Sequence, residues 1–177
     1  INFIKKNSSV PICIDTEGAQ IRTRIKKEIK LTTNQEVEIF FNYKTNKNKL
    51  NFYPYQIFRQ LKIGDIIYID FNSVVVEVIE IRKDSLKAFV VNGGLVEANK
   101  GVAVNRNLDL SPFTEKDIRS LKIAKQLEIK NFALSFCSDS RDVEKLRSFV
   151  GKKSTIISKI ESKKGFENCY KICKSSD

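Results

Sequence analysis

Histidine, methionine and tryptophan are absent from this 177-residue chain, and the missing histidine excludes the most chemistry. Serine and cysteine nucleophiles that need a histidine base are ruled out within the chain, and so are zinc sites that combine cysteine with histidine. Four cysteines are present, but no two of them form a Cys-x-x-Cys pair. We therefore expect reduced thiols packed in or near a core, and no structural zinc or disulfide framework.

Long apolar runs are also lacking. No stretch approaches the roughly 20 residues that a membrane helix needs, and the opening INFIKKNSSVP has no apolar centre of the kind found in signal peptides. We therefore expect a cytoplasmic protein that does not enter a membrane. The chain does not start with Met, and Ile1 to Lys6 reads as the end of a helix, so we interpret the chain as a piece of a longer polypeptide.

Basic residues outnumber acidic ones by 32 to 21, which gives a formal net charge of +11 and a pI near 9.5. A basic protein can bind nucleic acid, or it can attract an acidic substrate through its electrostatic field. The densest basic patch, Lys44 to Lys49, favours a solvated loop. The nearby aromatic residues fit the small core of a domain better than a base-stacking platform, so nucleic acid is the weaker alternative.

Three apolar segments predict strands of one parallel sheet, because helical patterns separate two of them. The first, Val10 to Asp15, is apolar until its last residue and predicts a fully buried strand. The others are Asn131 to Phe136 and Thr155 to Ile160. The sequence Thr-Glu-Lys-Asp at 114–117 resembles a capping box that opens a helix. We expect further helices in SDSRDVEKLRSFV and in GFENCYKIC.

Between the first and second of these strands the pattern changes to short β-type runs. VEIFF, DIIYID, SVVVEVIEI and KAFVV are separated by polar turns, including Asn-Gly-Gly at 92–94. This pattern predicts a separate all-β unit of about eighty residues, a normal size for a domain. We expect the chain to divide into residues 1–24, 25–104 and 105–177.

Lys159 and Glu161 lie two positions apart near the end of the last predicted strand, so we expect them on one face of it. An ammonium and a carboxylate side by side at a strand end suit a site that handles a phosphate together with a divalent metal. A solvent-facing ion pair, worth about 0–1 kcal/mol, is the simpler alternative.

Five segments together, in this order along the chain, resemble pyruvate kinase: IDTEGAQIRT, VVNGGLVEANKGV, LDLSPFTEKDIRSLKIA, FALSF and IISKIESKKGFENCYKICKSSD. The resemblance implies an α/β fold, a partial (β/α)8 TIM-type barrel with an inserted all-β lid domain. It also implies phosphoryl transfer from phosphoenolpyruvate to ADP in glycolysis. The family uses Mg²⁺ or Mn²⁺ and usually a monovalent cation, and we expect a homo-oligomer in the intact protein.

The resemblance also implies roles for residues near the strand ends. Lys159 matches the lysine that stabilises the transferring phosphoryl group and the enolate, and Glu161 matches a magnesium ligand. Asp15 and Thr16 match contacts to K⁺, although Asp-Thr-x-Gly also suits a turn or a helix cap. The resemblance further implies that Ser135 contacts the substrate.

Arg22 and Lys100 match family residues that bind the phosphates of ADP or ATP. Each would otherwise be interpreted as a surface cation. Gln20 departs from the family, in which an acid at this position accompanies K⁺ dependence and a lysine accompanies independence, so the K⁺ requirement stays open. Asn105 and Arg106 replace a Pro-Gly hinge of the family, and lid motion is expected to differ.

Other departures concern substrate closure more than the metal site. Ser138 stands where a family arginine follows the Ser-Phe pair, and paired acids of the lid are reduced to Asp70 followed by Phe71 and Asn72. The second magnesium carboxylate and the substrate-contacting threonine lie outside this sequence, so we expect the chain alone to be inactive. Our hypotheses are, in order, a phosphotransferase, a catalytically degenerate homologue kept for binding or regulation, and a basic nucleic-acid-binding protein.

Overall fold

The computed structural model describes residues 1–42 and 49–177. The predicted basic loop therefore lies outside the described residues, apart from Lys49. The chain divides into an α/β unit, residues 1–19 and 111–177, and a β unit, residues 20–110. The α/β unit contains α1 (Asn2–Asn7), β1 (Cys13–Asp15), α2 (Glu115–Gln126), β11 (Asn131–Leu134), α3 (Ser140–Val150), β12 (Thr155–Ser158), α4 (Lys163–Glu167) and α5 (Cys169–Ser175). The β unit contains β2 (Ile21–Arg24), β3 (Ile29–Leu31), β4 (Glu36–Phe40), β5 (Leu50–Tyr53), a 3-10 helix (Tyr55–Arg59), β6 (Ile66–Ile69), β7 (Val74–Ile81), β8 (Ser85–Asn92), β9 (Gly94–Val96) and β10 (Gly101–Val104).

The α/β unit is built on a three-stranded parallel sheet in the order β1-β11-β12, which confirms the predicted parallel strands. Phe132 of β11 is paired with Ile14 on one side and Ile156 on the other. Helices α2, α3 and α5 bury apolar side chains of the same core, among them Leu121, Ala124, Val143, Leu146 and Ile172. Burial of these side chains is the main force that holds the helices to the sheet.

Strand β1 differs from its prediction. Cys13 and Asp15 are exposed and only Ile14 packs against the core, so the strand is not fully buried. Alternate side chains of a strand point to opposite faces, and within the described residues β1 is paired with β11 alone. The apolar run therefore covers one face only.

Helix ends follow local chemistry. The predicted capping box opens α2, where the Asp117 amide donates to Thr114 Oγ1 at 3.0 Å and the Thr114 amide donates to Asp117 Oδ2 at 2.9 Å. Asp139 caps α3 in the same way. The single helix predicted for GFENCYKIC is in fact two helices, because Asn168 leaves the helical conformation. Its side-chain amide donates to the Ser138 carbonyl oxygen at 3.0 Å, which holds the residue at the break.

The β unit contains a closed seven-stranded barrel in the order β10-β2-β5-β4-β8-β7-β6, with β6 paired back to β10. Strands β4 and β5 are parallel, and the other neighbouring pairs are antiparallel. Strands β3 and β9 form a separate two-stranded sheet. Alternate residues point inward, as in β7, where Val74, Val76 and Val78 are fully buried. Closure leaves no unpaired edge in the barrel.

Strand β2 belongs to this barrel, although the predicted division at residue 24 assigned it to the first segment. Ile21 and Thr23 are buried in the β unit, and Arg22 and Arg24 alternate with them. At the other boundary the β unit continues to Leu110, which packs against the barrel core. The unit is therefore slightly longer at both ends than the predicted range.

Aromatic residues of the β unit contribute to its core. Phe52 and Phe58 are buried, and their rings stack with centroids 6.0 Å apart. Phe41 stacks on Phe58 with centroids 4.2 Å apart. This packing favours the core interpretation over a base-stacking platform. Among the described residues, no helix is long and apolar enough to cross a membrane.

Candidate functional site

Three polar side chains meet at the carboxyl ends of the parallel strands. Asp15 ends β1, Ser135 directly follows β11, and Lys159 directly follows β12. Lys159 Nζ donates a hydrogen bond to Asp15 Oδ2 at 2.9 Å, and Ser135 Oγ donates to Asp15 Oδ1 at 2.8 Å. We call Asp15, Ser135 and Lys159 the strand-end cluster. It joins three of the residues that the resemblance singled out.

Asp15 is ionised in this cluster. Burial raises the pKa of its carboxyl group, but hydrogen bonds from Lys159 and Ser135 and the charge of Lys159 together hold the pKa below its usual value. The Lys159 backbone is fixed, since its amide donates to the Leu134 carbonyl at 2.9 Å and its carbonyl accepts from the Cys137 amide at 3.2 Å. The side chain is 35% exposed, so a ligand can reach the ammonium.

The sequence analysis predicted that Lys159 and Glu161 share one face of a strand, and this prediction is wrong. Strand β12 ends at Ser158, and both residues lie in the segment that follows. Glu161 is exposed, and its Oε2 accepts a hydrogen bond from the Phe136 amide at 2.9 Å. Phe136 adopts a left-handed conformation with φ 53°. The β11 end therefore supplies a hydrogen bond to each carboxylate, through the Ser135 hydroxyl and the Phe136 amide.

Thr16 is buried and links β1 to β11. Its Oγ1 accepts from the Ser135 amide at 3.1 Å and donates to the Ala133 carbonyl at 3.3 Å. Gly18 lies against the same segment with φ 75°, and a Cβ atom there would be 2.2 Å from the Ser135 carbonyl oxygen. Only glycine fits this approach. The loop after β1 therefore sets the position of Ser135.

Asp117 is a residue of this site that sequence reasoning identified only as a helix cap. Its buried carboxylate also accepts from the Glu17 amide at 2.8 Å and the Gly18 amide at 3.3 Å. One side chain thus begins α2 and holds the loop after β1. The capping box was a signal for the first role, and no local pattern indicates the second.

Arg22 and Lys100 come together within the β unit. Arg22 of β2 is paired with Gly101 of β10, the residue after Lys100. Arg22 Nη1 donates to the Asn99 carbonyl oxygen at 2.7 Å. The backbones of the two predicted nucleotide contacts are therefore close together, with Arg22 on β2 and Lys100 just before β10.

Two carboxylates accompany Lys100. Its Nζ lies 3.1 Å from Asp70 Oδ2 and 3.1 Å from Glu97 Oε2. Hydrogen bonds to Glu97 and Asp70, followed by the charges of these groups, raise the pKa of Lys100 above its usual value. Asp70, which the sequence analysis noted only as a remnant acid, therefore positions a predicted phosphate-binding cation.

Arg106, at the altered hinge position, forms a bidentate ion pair within the β unit. Its Nε lies 2.7 Å from Asp65 Oδ1 and its Nη2 lies 2.8 Å from Asp65 Oδ2. Burial raises the pKa of Asp65, but hydrogen bonds from Arg106 and from the Lys62 amide lower it below its usual value. Arg106 also donates to the Gln60 carbonyl. The departure from Pro-Gly thus anchors the end of β10 to the barrel.

The cysteines are free thiols, but the prediction that they pack in or near a core holds only in part. Cys137 is buried, which raises its pKa to about 11. Cys13 and Cys173 are exposed, because β1 buries one face only and α5 turns its Ile172 to the core. The Sγ atoms of Cys169 and Cys173 are 3.8 Å apart on α5.

Metal ligands are few in the described part of the chain. There, no group of three or more Cys, Asp or Glu side chains could hold a metal ion. Glu161 is exposed, and its carboxylate oxygens are hard donors that suit a divalent cation. Such a cation needs several ligands, and Glu161 supplies one of them. Asp15 is an oxygen donor already bound to the Lys159 ammonium.

Comparisons with known proteins show the family to which this chain is similar. The family model "Pyruvate kinase, barrel domain" matches residues 2–177. The chain is 33% identical to a pyruvate kinase of Thermotoga maritima over 184 residues, which cover 98% of this chain and 39% of that protein. It is 30% identical to a pyruvate kinase of Chlamydia pneumoniae over 191 residues, with 100% and 39% coverage. A pyruvate kinase of Aeropyrum pernix is 28% identical, with 95% and 37% coverage.

The chain thus spans about two fifths of the length of these relatives. The match runs through both the α/β unit and the β unit, and it includes the strand-end cluster. Similarity of this extent over nearly the whole chain shows common family membership. This chain belongs to the pyruvate kinase family.

Proposed function

We propose that the protein containing this chain is a pyruvate kinase that transfers the phosphoryl group of phosphoenolpyruvate to ADP in glycolysis. Family membership supports the reaction class. The observation that carries the proposal is the strand-end cluster, in which Asp15 and Ser135 hold the ammonium of Lys159 at the carboxyl ends of parallel strands. In barrel enzymes of this type, the active site lies at that end of the strands.

We propose a corresponding architecture for the whole protein. The α/β unit would be part of a (β/α)8 TIM-type barrel, and the β unit would be its inserted lid domain. The parallel order β1-β11-β12, with helix α3 between β11 and β12, supports the first assignment. The closed barrel that interrupts the chain between β1 and β11 supports the second.

Lys159 supplies positive charge to the reaction. When the phosphoryl group leaves the enol oxygen, negative charge grows on that oxygen and on the transferring group. An ammonium already positioned there stabilises this charge without reorganising. Asp15 limits the rotamers of Lys159, and Ser135 limits those of Asp15. Both are positioning residues in this scheme, and we propose that Ser135, which shares Asp15 with Lys159, also contacts the substrate.

Glu161 fits a divalent cation such as Mg²⁺ or Mn²⁺. It is a carboxylate, it is exposed, and the Phe136 amide holds one of its oxygens. A divalent ion would neutralise charge on the phosphate oxygens. Arg22 and Lys100 would bind the phosphates of ADP or ATP within the β unit.

A monovalent cation fits less well. Asp15 already binds the Lys159 ammonium, and the Thr16 hydroxyl donates to one backbone group and accepts from another. K⁺ contact by Asp15 and Thr16 therefore stays a prediction, and the K⁺ response of the enzyme decides it. The cytoplasmic location and the homo-oligomer stay predictions as well.

The test is release of pyruvate from phosphoenolpyruvate by the complete protein, with ADP and Mg²⁺, in the presence and absence of K⁺. We expect turnover in the ordinary enzyme range of about 1–10³ s⁻¹, and none without ADP. Binding of phosphoenolpyruvate or ADP without turnover would support the degenerate, regulatory homologue instead. The 177-residue chain alone is expected to be inactive, because much of the family's site lies outside it.

Nucleic-acid binding is the third hypothesis and rests on net charge alone. It predicts an affinity that falls steeply with salt concentration. The aromatic packing of the β unit does not favour it. A salt-insensitive or undetectable affinity for RNA and DNA would remove it.

A further inference from the structure

Two cysteine thiols lie together on helix α5. Cys169 and Cys173 are four residues apart, so they are neighbours on one face of the helix, and their Sγ atoms are 3.8 Å apart. Cys173 is exposed and Cys169 is half-buried. We call these two residues the thiol pair. It has no role in the proposed phosphoryl transfer, and solvent reaches it.

The helix that carries the thiol pair is anchored at three points. Asn168, directly before α5, donates its side-chain amide to the Ser138 carbonyl oxygen at 3.0 Å. Ser176, directly after α5, has its hydroxyl oxygen 2.7 Å from that of Ser158 at the end of β12. Between them, Ile172 is fully buried in the core. The backbones of the two cysteines therefore have little freedom to approach each other.

A disulfide fits the thiol pair poorly. It requires Cβ atoms about 3.5–4.5 Å apart and sulfur atoms about 2.0 Å apart, whereas Cβ atoms at i and i+4 of a helix are about 5–6 Å apart. Closing the bond would distort the turn that buries Ile172. The hydrogen bond to Cys173, followed by the charge of Cys173 and by desolvation, also raises the pKa of Cys169. Since the thiolate is the form that reacts with oxidants, this pair oxidises slowly.

A metal ion, in contrast, fits the separation of the sulfur atoms. Two thiolates bound to a tetrahedral Zn²⁺ at about 2.3 Å each are about 3.8 Å apart. The Sγ atoms of Cys169 and Cys173 are already at this distance, so a bridging ion requires no movement of the helix. A cation between the sulfurs also removes the repulsion between two thiolates and drives their deprotonation.

The surroundings leave the thiol pair open to such an ion. The ammonium of Lys174 lies 4.4 Å from the centroid of the Tyr170 ring, in the neighbouring row of the helix. Within residues 1–42 and 49–177, no third Cys, Asp or Glu completes a metal-binding group. Two coordination positions of a tetrahedral ion would therefore stay open to water, and binding would be reversible.

We propose that Cys169 and Cys173 form a two-thiolate binding site for a thiophilic divalent cation of tetrahedral preference, such as Zn²⁺ or Cd²⁺. Two protons leave the thiols as the two metal–sulfur bonds form, and water fills the other two positions. The site differs in chemistry from the proposed Mg²⁺ ligand Glu161, because sulfur donors select soft cations and carboxylates select hard ones.

Titration of the reduced, complete protein with Cd²⁺ in excess Mg²⁺ tests this site. The readout is the ultraviolet charge-transfer absorption of cadmium–thiolate bonds, which oxygen ligands do not produce. Cys169→Ser and Cys173→Ser each remove the absorption that saturates at one equivalent. Each also weakens Cd²⁺ binding by more than about tenfold, because the second thiolate of the pair binds at a high effective concentration.

A matched control is Cys13→Ser, which removes another exposed thiol of the α/β unit. It keeps the native absorption and Cd²⁺ affinity. Cd²⁺ also raises the melting temperature of the native protein more than that of Cys169→Ser or Cys173→Ser, since it binds the folded pair. Without metal, all three variants melt close to the native protein, so loss of folding does not explain weaker binding.

Three outcomes overturn the site. If both pair variants keep the native absorption, sulfur atoms elsewhere bind the cation. If only one of them loses it, a single thiol binds and the two do not act together. If mild treatment with hydrogen peroxide readily yields a 169–173 disulfide, with loss of two hydrogens by mass and release of water, the helix does not favour an ion over a disulfide. Pyruvate release enters none of these readouts, so failure of this site and failure of the proposed function are separate results.

Discussion

Replacing Lys159 with Met in the complete protein tests the central role of the strand-end cluster. The substitution removes the ammonium that lies 2.9 Å from Asp15 and keeps an unbranched side chain of similar length. Loss of one preorganised group that stabilises developing charge typically lowers kcat by 10²–10³, or about 2.7–4 kcal/mol of transition-state stabilisation. We expect a loss in kcat of this size.

The same substitution has little effect on stability. The side chains of Lys159 and Asp15 are 35% and 59% exposed, so water screens the pair and re-solvates the carboxylate when the ammonium is lost. An exposed pair of this kind contributes about 0–1 kcal/mol to the free energy of unfolding. The expected result is a large fall in kcat with an almost unchanged melting temperature.

Steady-state kinetics with varied phosphoenolpyruvate and ADP, together with thermal unfolding, measure both effects. Lys163→Met is the matched control, because Lys163 is 83% exposed and pairs only loosely with Glu167, at 4.0 Å. It is expected to keep native kcat. Near-native turnover in Lys159→Met would refute the assignment of Lys159, and a large drop in melting temperature would refute the reasoning about the exposed pair.

Three further predictions follow from the same geometry. Ser135→Ala removes the hydrogen bond to Asp15 and raises its pKa toward the ordinary value, so the acidic limb of the kcat/KM profile shifts to higher pH; an unshifted profile would contradict this. Arg106→Leu leaves buried Asp65 without its main partner and lowers the unfolding free energy by about 2–4 kcal/mol in urea titrations at neutral pH. Because Asp65 has a lowered pKa in the folded state, the native pair's contribution is present above the unfolded pKa and is lost as pH falls through the folded one, so the difference between native and Arg106→Leu narrows in acid. Gly18→Ala places a Cβ against the Ser135 carbonyl and lowers both the melting temperature and kcat, whereas Gly151→Ala, which also has positive φ but open space, affects stability only.

Local patterns in the sequence predicted much of the fold. The capping box at Thr114, the helical spacing after it and the apolar runs of β11 and β12 each depend on neighbouring residues, and the structure confirms them. The predictions were wrong where one local sequence pattern is compatible with two different tertiary structures. The apolar run before Asp15 is a half-exposed strand, and the helix after Ser162 is interrupted because Asn168 bonds to Ser138.

The sequence analysis predicted which residues belong to the site, but not how their side chains are arranged in space. Lys159 and Asp15 are 144 residues apart, and no periodicity in the sequence indicates that they bind each other. Their pairing depends on the parallel register of β1, β11 and β12, which aligns the three carboxyl ends. Likewise, the bonds from Asp117 to the loop after β1 require helix α2 to pack beside that strand.

The sequence by itself determined the local elements, the family and the chemical types available to the site: a lysine, two carboxylates and two further cations. Only the tertiary structure decided that Asp15 restrains Lys159, that the Phe136 amide holds Glu161 and that Asp70 pairs with Lys100. The physical reason is the separation along the chain over which each interaction acts. Propensity, capping and hydrophobic periodicity act between residues a few positions apart, whereas these contacts depend on which strands become neighbours, a choice set by burial and pairing over the whole chain.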